Sequence, residues 1–478
     1  MDLAQRIDTA FEPISNAINA IVFFSIDVFG VSLPLVLIWL VLGATVFTVY
    51  FRFINLRGFA HAVELVTKPS NRRQNSGDNA PGEIPPFQAL ASALSGTVGL
   101  GNIASVPVAI CLGGPGAIFW MILAGLLGMS SKFAECALAV KYRRFASDGR
   151  VLGGPMYYIE AAVGRKTNKS IGKAAGTAFA LFTVGGSLSF FQVNQSYAQF
   201  SSVTGIEAPL IYGAIFCAFI AIVLLGGIKS IGRVTGILVP MMAGVYLMAA
   251  VVIIALHADA LPGAVASIFK GAFGFEAAGG GLVGALINGV QRATYSSEAG
   301  VGSAAIAHAA VKTKEPVSEG YVALLEPFID TVVVCTVTAL VIITTGVHEP
   351  YLYIPRSDIV GIDLTSAAFE GVFSWYPVIL LISVLFFAFS TLLAWAFYGA
   401  QAVAYLSNDN RQLDIAFKIG VSTLLSFGAV LSISAILNFI DAMLFAMCVP
   451  NMIALYILLP ELKNDVKAYD QREQNDLS

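Results

Sequence analysis

The sequence predicts an all-α polytopic membrane protein of about eleven transmembrane helices, on three observations. Of its 478 residues, 57% are hydrophobic and only 12% are charged, about half the charged fraction of a soluble domain. Mean hydropathy is +0.78. Uncharged runs long enough to cross a hydrocarbon core of about 30 Å recur along the whole chain. The net charge of −3 gives no basic surface for nucleic acid. The five cysteines lie inside apolar runs and the four histidines are scattered, so neither a disulfide framework nor a metal set is indicated.

Taken in order, residues 10–27 read as a short amphipathic helix at the outer surface, and 33–52 as one extra N-terminal helix. The uncharged run 84–131 is too long for one crossing at about 1.5 Å per residue. Gly113-Gly114-Pro115-Gly116 divides it into helices near 87–109 and 115–141. Runs at 174–206, 208–228 and 234–258 follow. The stretch 265–290 contains Lys270, Glu276 and Gly279-Gly280-Gly281, and is counted as a span because the charge pattern requires it. Runs at 331–348, 371–408, 419–440 and 442–460 complete the set, and the polar residues 461–478 read as a loosely ordered tail. The N-terminal stretch has no basic n-region or small-residue cleavage site, so a cleaved signal peptide is not expected. With the N-terminus outside, 23 Lys and Arg fall on inner segments and only Arg6, Lys270 and Arg356 on outer ones. The positive-inside rule therefore orients the chain with its C-terminus in the cytoplasm. A plasma (inner) membrane is the expected location.

Leaving out the extra helix, ten core helices fall into two sets of five, 87–257 and 265–460. Five is odd, so the halves insert with opposite topology. The first span of each set contains a glycine-rich interruption: Ser95 to Asn102, and Ala277 to Gly284. Non-helical backbone survives in a bilayer only when buried or beside a water-filled cavity, and paired interruptions point to a transporter's midplane site. N–H groups of a helix restarting near Gly99 suit a carboxylate, and unwound carbonyls suit a cation. Close helix packing is the alternative use of such glycines. Ser390 and Thr391 offer two hydroxyls to a cation, or back-bond within their own helix. Gln192, Asn194 and Gln195 line a site or join helices. Lys132 and Glu135, three apart, read as an ion pair. Asp330 reads as lying near the cytoplasmic surface, Asp441 at the outer rim, and Glu276 by the outer vestibule. Arg292, Glu298 and His308 read as inner-gate partners.

Several longer motifs carry a family likeness. Phe87-Gln88-Ala89-Leu90 with Gly96-Thr97-Val98-Gly99-Leu100-Gly101-Asn102-Ile103 resembles the signature of the alanine or glycine:cation symporter family (sodium:alanine symporters). So do Gly128-Met129 with Lys132-Phe133-Ala134-Glu135, Gly153-Gly154-Pro155-Met156-Tyr157-Tyr158, and Ser297-Glu298-Ala299-Gly300-Val301-Gly302-Ser303 with Ala307-His308-Ala309. Glu326-Pro327-Phe328-Ile329-Asp330-Thr331 and Val449-Pro450-Asn451 match as well. Ala293-Thr294-Tyr295-Ser296 departs from the family pattern. The resemblance implies a leucine-transporter-type fold: a five-plus-five inverted repeat whose first and sixth core helices are discontinuous, plus the extra N-terminal helix. It implies sodium-coupled, sometimes proton-coupled, import of alanine or glycine by alternating access. Carried over by position, Thr97, Gly99 and Gly101 meet the substrate, its carboxylate at Thr97 and Gly99. Gln192 and Trp395 line the pocket, and Gly280, Gly281 and Gly284 form its far wall. Ser95 and Val98 carbonyls with Ser390 and Thr391 hydroxyls hold a sodium ion, and Asn102 a second. The implied partners are small neutral amino acids, sodium and the bilayer, with the chain acting as a monomer. A carrier of the same fold for another small amino acid or a nucleobase-like solute is the runner-up. An intramembrane enzyme lacks its nucleophile-and-base or His-Glu-x-x-His set, and no phosphate-binding loop is present for direct ATP drive.

Overall fold

A computed structural model describes residues 3–28, 31–67, 80–274, 281–353 and 360–477. Among these, seven helices are long and apolar enough to cross a membrane, and nine when each of two sharply bent helix pairs counts as one span. Pro209–Leu225 and Leu261–Phe273 are shorter apolar helices. The protein is thus an all-α multi-pass membrane protein, with two short hairpins as its β-structure among the described residues.

The amphipathic helix Leu3–Val22 starts earlier than its apolar pattern suggests. It docks on the first turns of the last helix, where Ser15 Oγ donates to Ala435 O at 2.6 Å, and Phe11 packs edge-on against Phe190. A hairpin, Ser25–Val28 with Val31–Pro34, leads into the extra helix Leu35–Tyr50. The first core helix is broken as expected: Pro86–Thr97 and Leu100–Gly113 meet at 46°. The glycine and proline turn follows, with Gly114 at φ +68°, a conformation glycine takes without strain. Ala117–Tyr142 then crosses, followed by Pro155–Lys166, Lys169–Gly186, Phe190–Thr204, Pro209–Leu225 and Gly227–Leu256.

Two expectations change in the second half, and a third falls largely outside the described residues. The glycine run at 277–284 lies largely outside the described residues (275–280, with Glu276 and Gly280, are not described), and from Gly281 to Ser297 the helix is continuous. The break comes later. Glu298, Gly300 and Gly302 all have positive φ (+54°, +87° and +89°), and helix resumes only at Ala305–Ala309. The unwound residues carry two glycines with Glu298 and Ser303, so glycine density does not mark this break. The turn before the last helix falls at Leu431–Ser432 rather than near Asp441, since the last helix already begins at Ile433. An acidic residue inside an apolar run looked like a boundary, but Asp441 is fully buried. Finally, residues 461–477 are not loose, as the last helix continues to Leu477. Lys141 and Arg165 pair with Glu461 at 2.8 and 2.7 Å, and Arg472 holds Glu315 through two bonds of 2.9 Å. Polarity there reflects ion pairs with neighbouring segments on one face and exposed residues on the other.

Arg143, just past the end of its helix, organises those loops. Its guanidinium donates to four backbone carbonyls: Ala309, Val311, Pro81 and Thr313. A lysine has no planar fork to reach so many acceptors.

Candidate functional site

At the first break, Thr97 ends one half-helix, Val98 turns the chain, and the Gly99 N–H donates to Asn102 Oδ1 at 2.8 Å. That N–H is therefore capped by the chain itself. Leu100 and Gly101 open the next half-helix, so their N–H groups have no acceptor within it. Gly99 is pressed against the Tyr376–Leu406 helix: a methyl group there would lie 2.2 Å from Thr391 Oγ1. Thr391 Oγ1 donates to Ser95 O at 2.8 Å, bridging the two helices. Ser390 Oγ donates to Phe387 O at 3.1 Å. Ser95, Val98, Ser390 and Thr391 are all buried, and of their oxygens the Thr391 hydroxyl and the Ser95 carbonyl meet across the two helices. Among the described residues, no group of three or more His, Cys, Asp or Glu is arranged as a metal cage.

One face of the break borders a small cavity lined by Gly96, Thr97, Gly101, Gln192, Tyr295 and Trp395, with Gly186, Ser189, Ile440 and Leu444 completing it. As mapped by the centre of a water molecule it measures about 10 Å³, room for roughly one water. Thr97, Gln192 and Trp395 are 2%, 3% and 5% exposed, so the cavity is closed to solvent. Gln192 Oε1 is buried there without a hydrogen-bond partner. Its neighbours have other work. Asn194 donates to Leu431 O at 2.8 Å, and Gln195 Oε1 accepts from Ile362 N–H at 2.8 Å. Of the three amides, two join helices and one faces the cavity.

Gly281 and Gly284 are not brought to this cavity. They stand 14 and 11 residues before Tyr295 on one continuous helix, roughly 17–21 Å along its axis. The wall they were to form is made by Tyr295, Ile440 and Leu444. Tyr295 lies in the segment Ala293–Ser296 that departs from the family pattern, so no motif marked it.

Charges assemble in two places outside the cavity. Arg292 pairs with Asp441, and Gln291 donates to the same carboxylate oxygen at 2.7 Å. The guanidinium lies 5.4 Å from the centre of the Tyr295 ring, directly behind the cavity wall. Arg292 is therefore no member of a cytoplasmic loop, and Asp441 is not at a rim. Asp330, placed near the surface by sequence, is fully buried. It accepts from Asn102 Nδ2, from Ser296 Oγ at 2.7 Å and from Thr331 Oγ1 at 2.8 Å. It sits on a stretch, Phe328–Cys335, whose turns are widened to i→i+5 bonding, a distortion common at functional positions. Lys132 pairs not with Glu135 but with Glu326, at 3.5 Å. The second break is held by Asn451, which donates to Gly300 O at 2.9 Å and to Glu135 at 2.7 Å.

Two unwound points in an all-α membrane protein, with a buried cavity and a hydroxyl-to-carbonyl bridge at the first of them, have the form of a secondary transporter. Residues 16–478 match the profile of the Sodium:alanine symporter family. The chain is 37% identical over 445 residues to the sodium/alanine symporter AgcS of Methanococcus maripaludis, covering 91% of this chain and 94% of that one. It is 31% identical over 418 residues to the amino-acid carrier protein AlsT of Bacillus subtilis, covering 86% and 84%. The crystal structure of MhsT in complex with L-phenylalanine shares the fold, with a TM-score of 0.56 at 15% identity over 78% of this chain and 88% of that one. The chain belongs to the sodium:alanine symporter family. It is accordingly a secondary transporter of small neutral amino acids with sodium as the coupling ion, and not an enzyme.

Proposed function

We propose that this protein imports alanine or glycine together with sodium by alternating access, binding the zwitterion in the cavity at the first break. The observation that carries the reading is Gln192 Oε1, a buried acceptor without a partner beside a cavity that holds about one water here and widens to admit the zwitterion. Such an atom is costly to leave unsatisfied, and an ammonium group satisfies it. The substrate carboxylate meets the Thr97 hydroxyl and the N–H groups of Leu100 and Gly101, at the positive end of the resumed helix. Trp395 closes the side-chain end, backed by Gly186, where a methyl group would come within 2.9 Å of the indole.

Sodium, as co-substrate, takes the neutral oxygens around Ser95, Val98, Ser390 and Thr391. The support is the bridge from Thr391 to Ser95 O, which already places two of these oxygens within 2.8 Å. Support for a second sodium near Asn102 is the Asp330 carboxylate beside it. The amide oxygen of Asn102 is engaged by Gly99, so the negative charge comes from Asp330.

The topology follows the two sets of five, 87–257 and 265–460, in opposite orientation, with the N-terminus outside and the C-terminus cytoplasmic. The breaks at 98–99 and 298–304 then occupy matching first helices of the two sets. One chain holds the whole site, so a monomer suffices.

Labelled alanine should accumulate in proteoliposomes only under an inward sodium gradient, and equal uptake without sodium overturns the coupling. In the same assay Thr391→Ala should raise the sodium needed for half-maximal uptake by about tenfold, the worth of one strong hydrogen-bonding oxygen. Trp395→Leu should admit longer side chains, measured as competition of alanine uptake by a panel of neutral amino acids. An unchanged competition profile rejects the indole as the wall.

A further inference from the structure

Behind the second break lies a group of ionisable side chains that the transport site does not use. Glu135, Glu298, Glu319 and Glu326 are at most 2% exposed, and so are the two bases among them, Lys132 and His308. Four carboxyls thus face two bases. The pairing is specific. His308 stands between Glu319, 2.7 Å from Nδ1, and Glu326 at Nε2, while Lys132 takes the other oxygen of Glu326 at 3.5 Å. That accounts for both bases. Glu298, in the unwound segment, accepts from Ser303. Glu135 accepts from Asn451 through Oε1, and its Oε2 has no hydrogen-bond partner.

A buried carboxylate with one oxygen unsolvated and no base of its own is strongly disfavoured, and it resolves this by taking a proton. The groups acting on Glu135 leave that conclusion in place. Lys132, on the same helix, favours a charge on Glu135, but it lies 3.5 Å from Glu326, forms no hydrogen bond, and Glu326 repels such a charge. Cys136, Tyr158 on the Pro155–Lys166 helix and Cys448 on the last helix are its other titratable neighbours, and none of them is a base. Asn451 makes the connection that gives the proton a role. Its amide joins Glu135 to the Gly300 carbonyl of the break, and its oxygen accepts from Tyr158. Any movement that separates the last helix from the break also exposes Glu135.

We propose that Glu135 is a proton-binding site tied through Asn451 to the second break, taking up a proton as the inner side closes and releasing it as that side opens. On closing, a proton from the inner water forms an O–H bond on the Glu135 carboxylate. On opening, water enters and the same proton returns to it, so it is exchanged with one side and not carried across. Because linkage is reciprocal, alanine, which favours the closed form, must draw protons from solution when it binds.

The inference rests on the alanine-transport reading, and the experiment separates the two. Purified protein in sodium is titrated with alanine in weakly buffered solution containing a pH-sensitive dye. The same titration is followed by calorimetry in buffers of different ionisation enthalpy. Wild type should take up as much as about one proton per alanine bound. Glu135→Gln should still bind alanine in sodium, with proton uptake reduced at least about tenfold. Alanine binding by wild type without proton uptake overturns the proposal, whatever the variant does. So does a Glu135→Gln protein with wild-type uptake. If wild type binds no alanine in sodium, it is the transport reading that fails.

Discussion

Gly99→Ala is expected to abolish sodium-driven alanine uptake. The backbone is not the obstacle, since Gly99 has φ −150°, an extended conformation open to alanine. The obstacle is Thr391, whose Oγ1 would sit 2.2 Å from the new methyl group while its Cβ stays at 3.4 Å. Relief requires Thr391 to swing off Ser95 O, which opens the proposed sodium site and parts the Tyr376–Leu406 helix from the break. Overpacking of this kind typically costs about 1–3 kcal/mol, but the functional loss exceeds that because the displaced hydroxyl is itself a ligand. The double variant Gly99→Ala/Thr391→Ala removes the clashing atom. It should recover thermal stability in detergent and regain uptake at about the tenfold higher sodium that Thr391→Ala alone requires. Normal uptake by Gly99→Ala alone would mean that the contact with Thr391 does not serve the cation.

The second large effect is expected at the buried pair of Arg292 and Asp441. Arg292→Met leaves Asp441 buried without its guanidinium, a change that generally costs about 3–5 kcal/mol. Uptake should be lost and the melting temperature should fall. Arg292→Met/Asp441→Leu replaces both charges with apolar groups and should regain most of that stability, as buried ion pairs often do when replaced together. The two readouts then part company. If the double variant is stable but does not transport, the pair closes and reopens the path behind Tyr295. If it transports normally, the pair is scaffold.

The two breaks show what a sequence does and does not reveal here. At the first, three glycines in six positions lie inside an otherwise apolar helix, and the bend is where they are. At the second, the residues that unwind include Glu298, Ser303 and two glycines, while the denser glycine run precedes a continuous helix. Glycine count does not mark this break; backbone conformation does. The charged residues misled for a related reason. Asp441, Arg292, Asp330 and Lys132 were weighed against water or near neighbours in the chain, whereas each finds its partner on a distant segment. Such pairings have no local period. The family motifs were better guides than they appeared. Lys132 to Glu135, Pro155 to Tyr158, Gly300 to Gly302 and Asn451 come from four separate stretches, yet all meet at the second break. Tyr295, Ile440 and Leu444 of the cavity wall carried no such mark.

The last helix runs 45 residues from Ile433 to Leu477, and Pro450 and Pro460 lie within it. Each proline lacks the amide hydrogen that would reach back four residues, so the carbonyls of Ala446 and Tyr456 lose their usual donors. The rod is thereby jointed into three lengths. Its top is pinned by Ser15 and its foot by Arg472, so the middle piece, bound through Asn451 to the second break, can shift with that break while both anchors stay put.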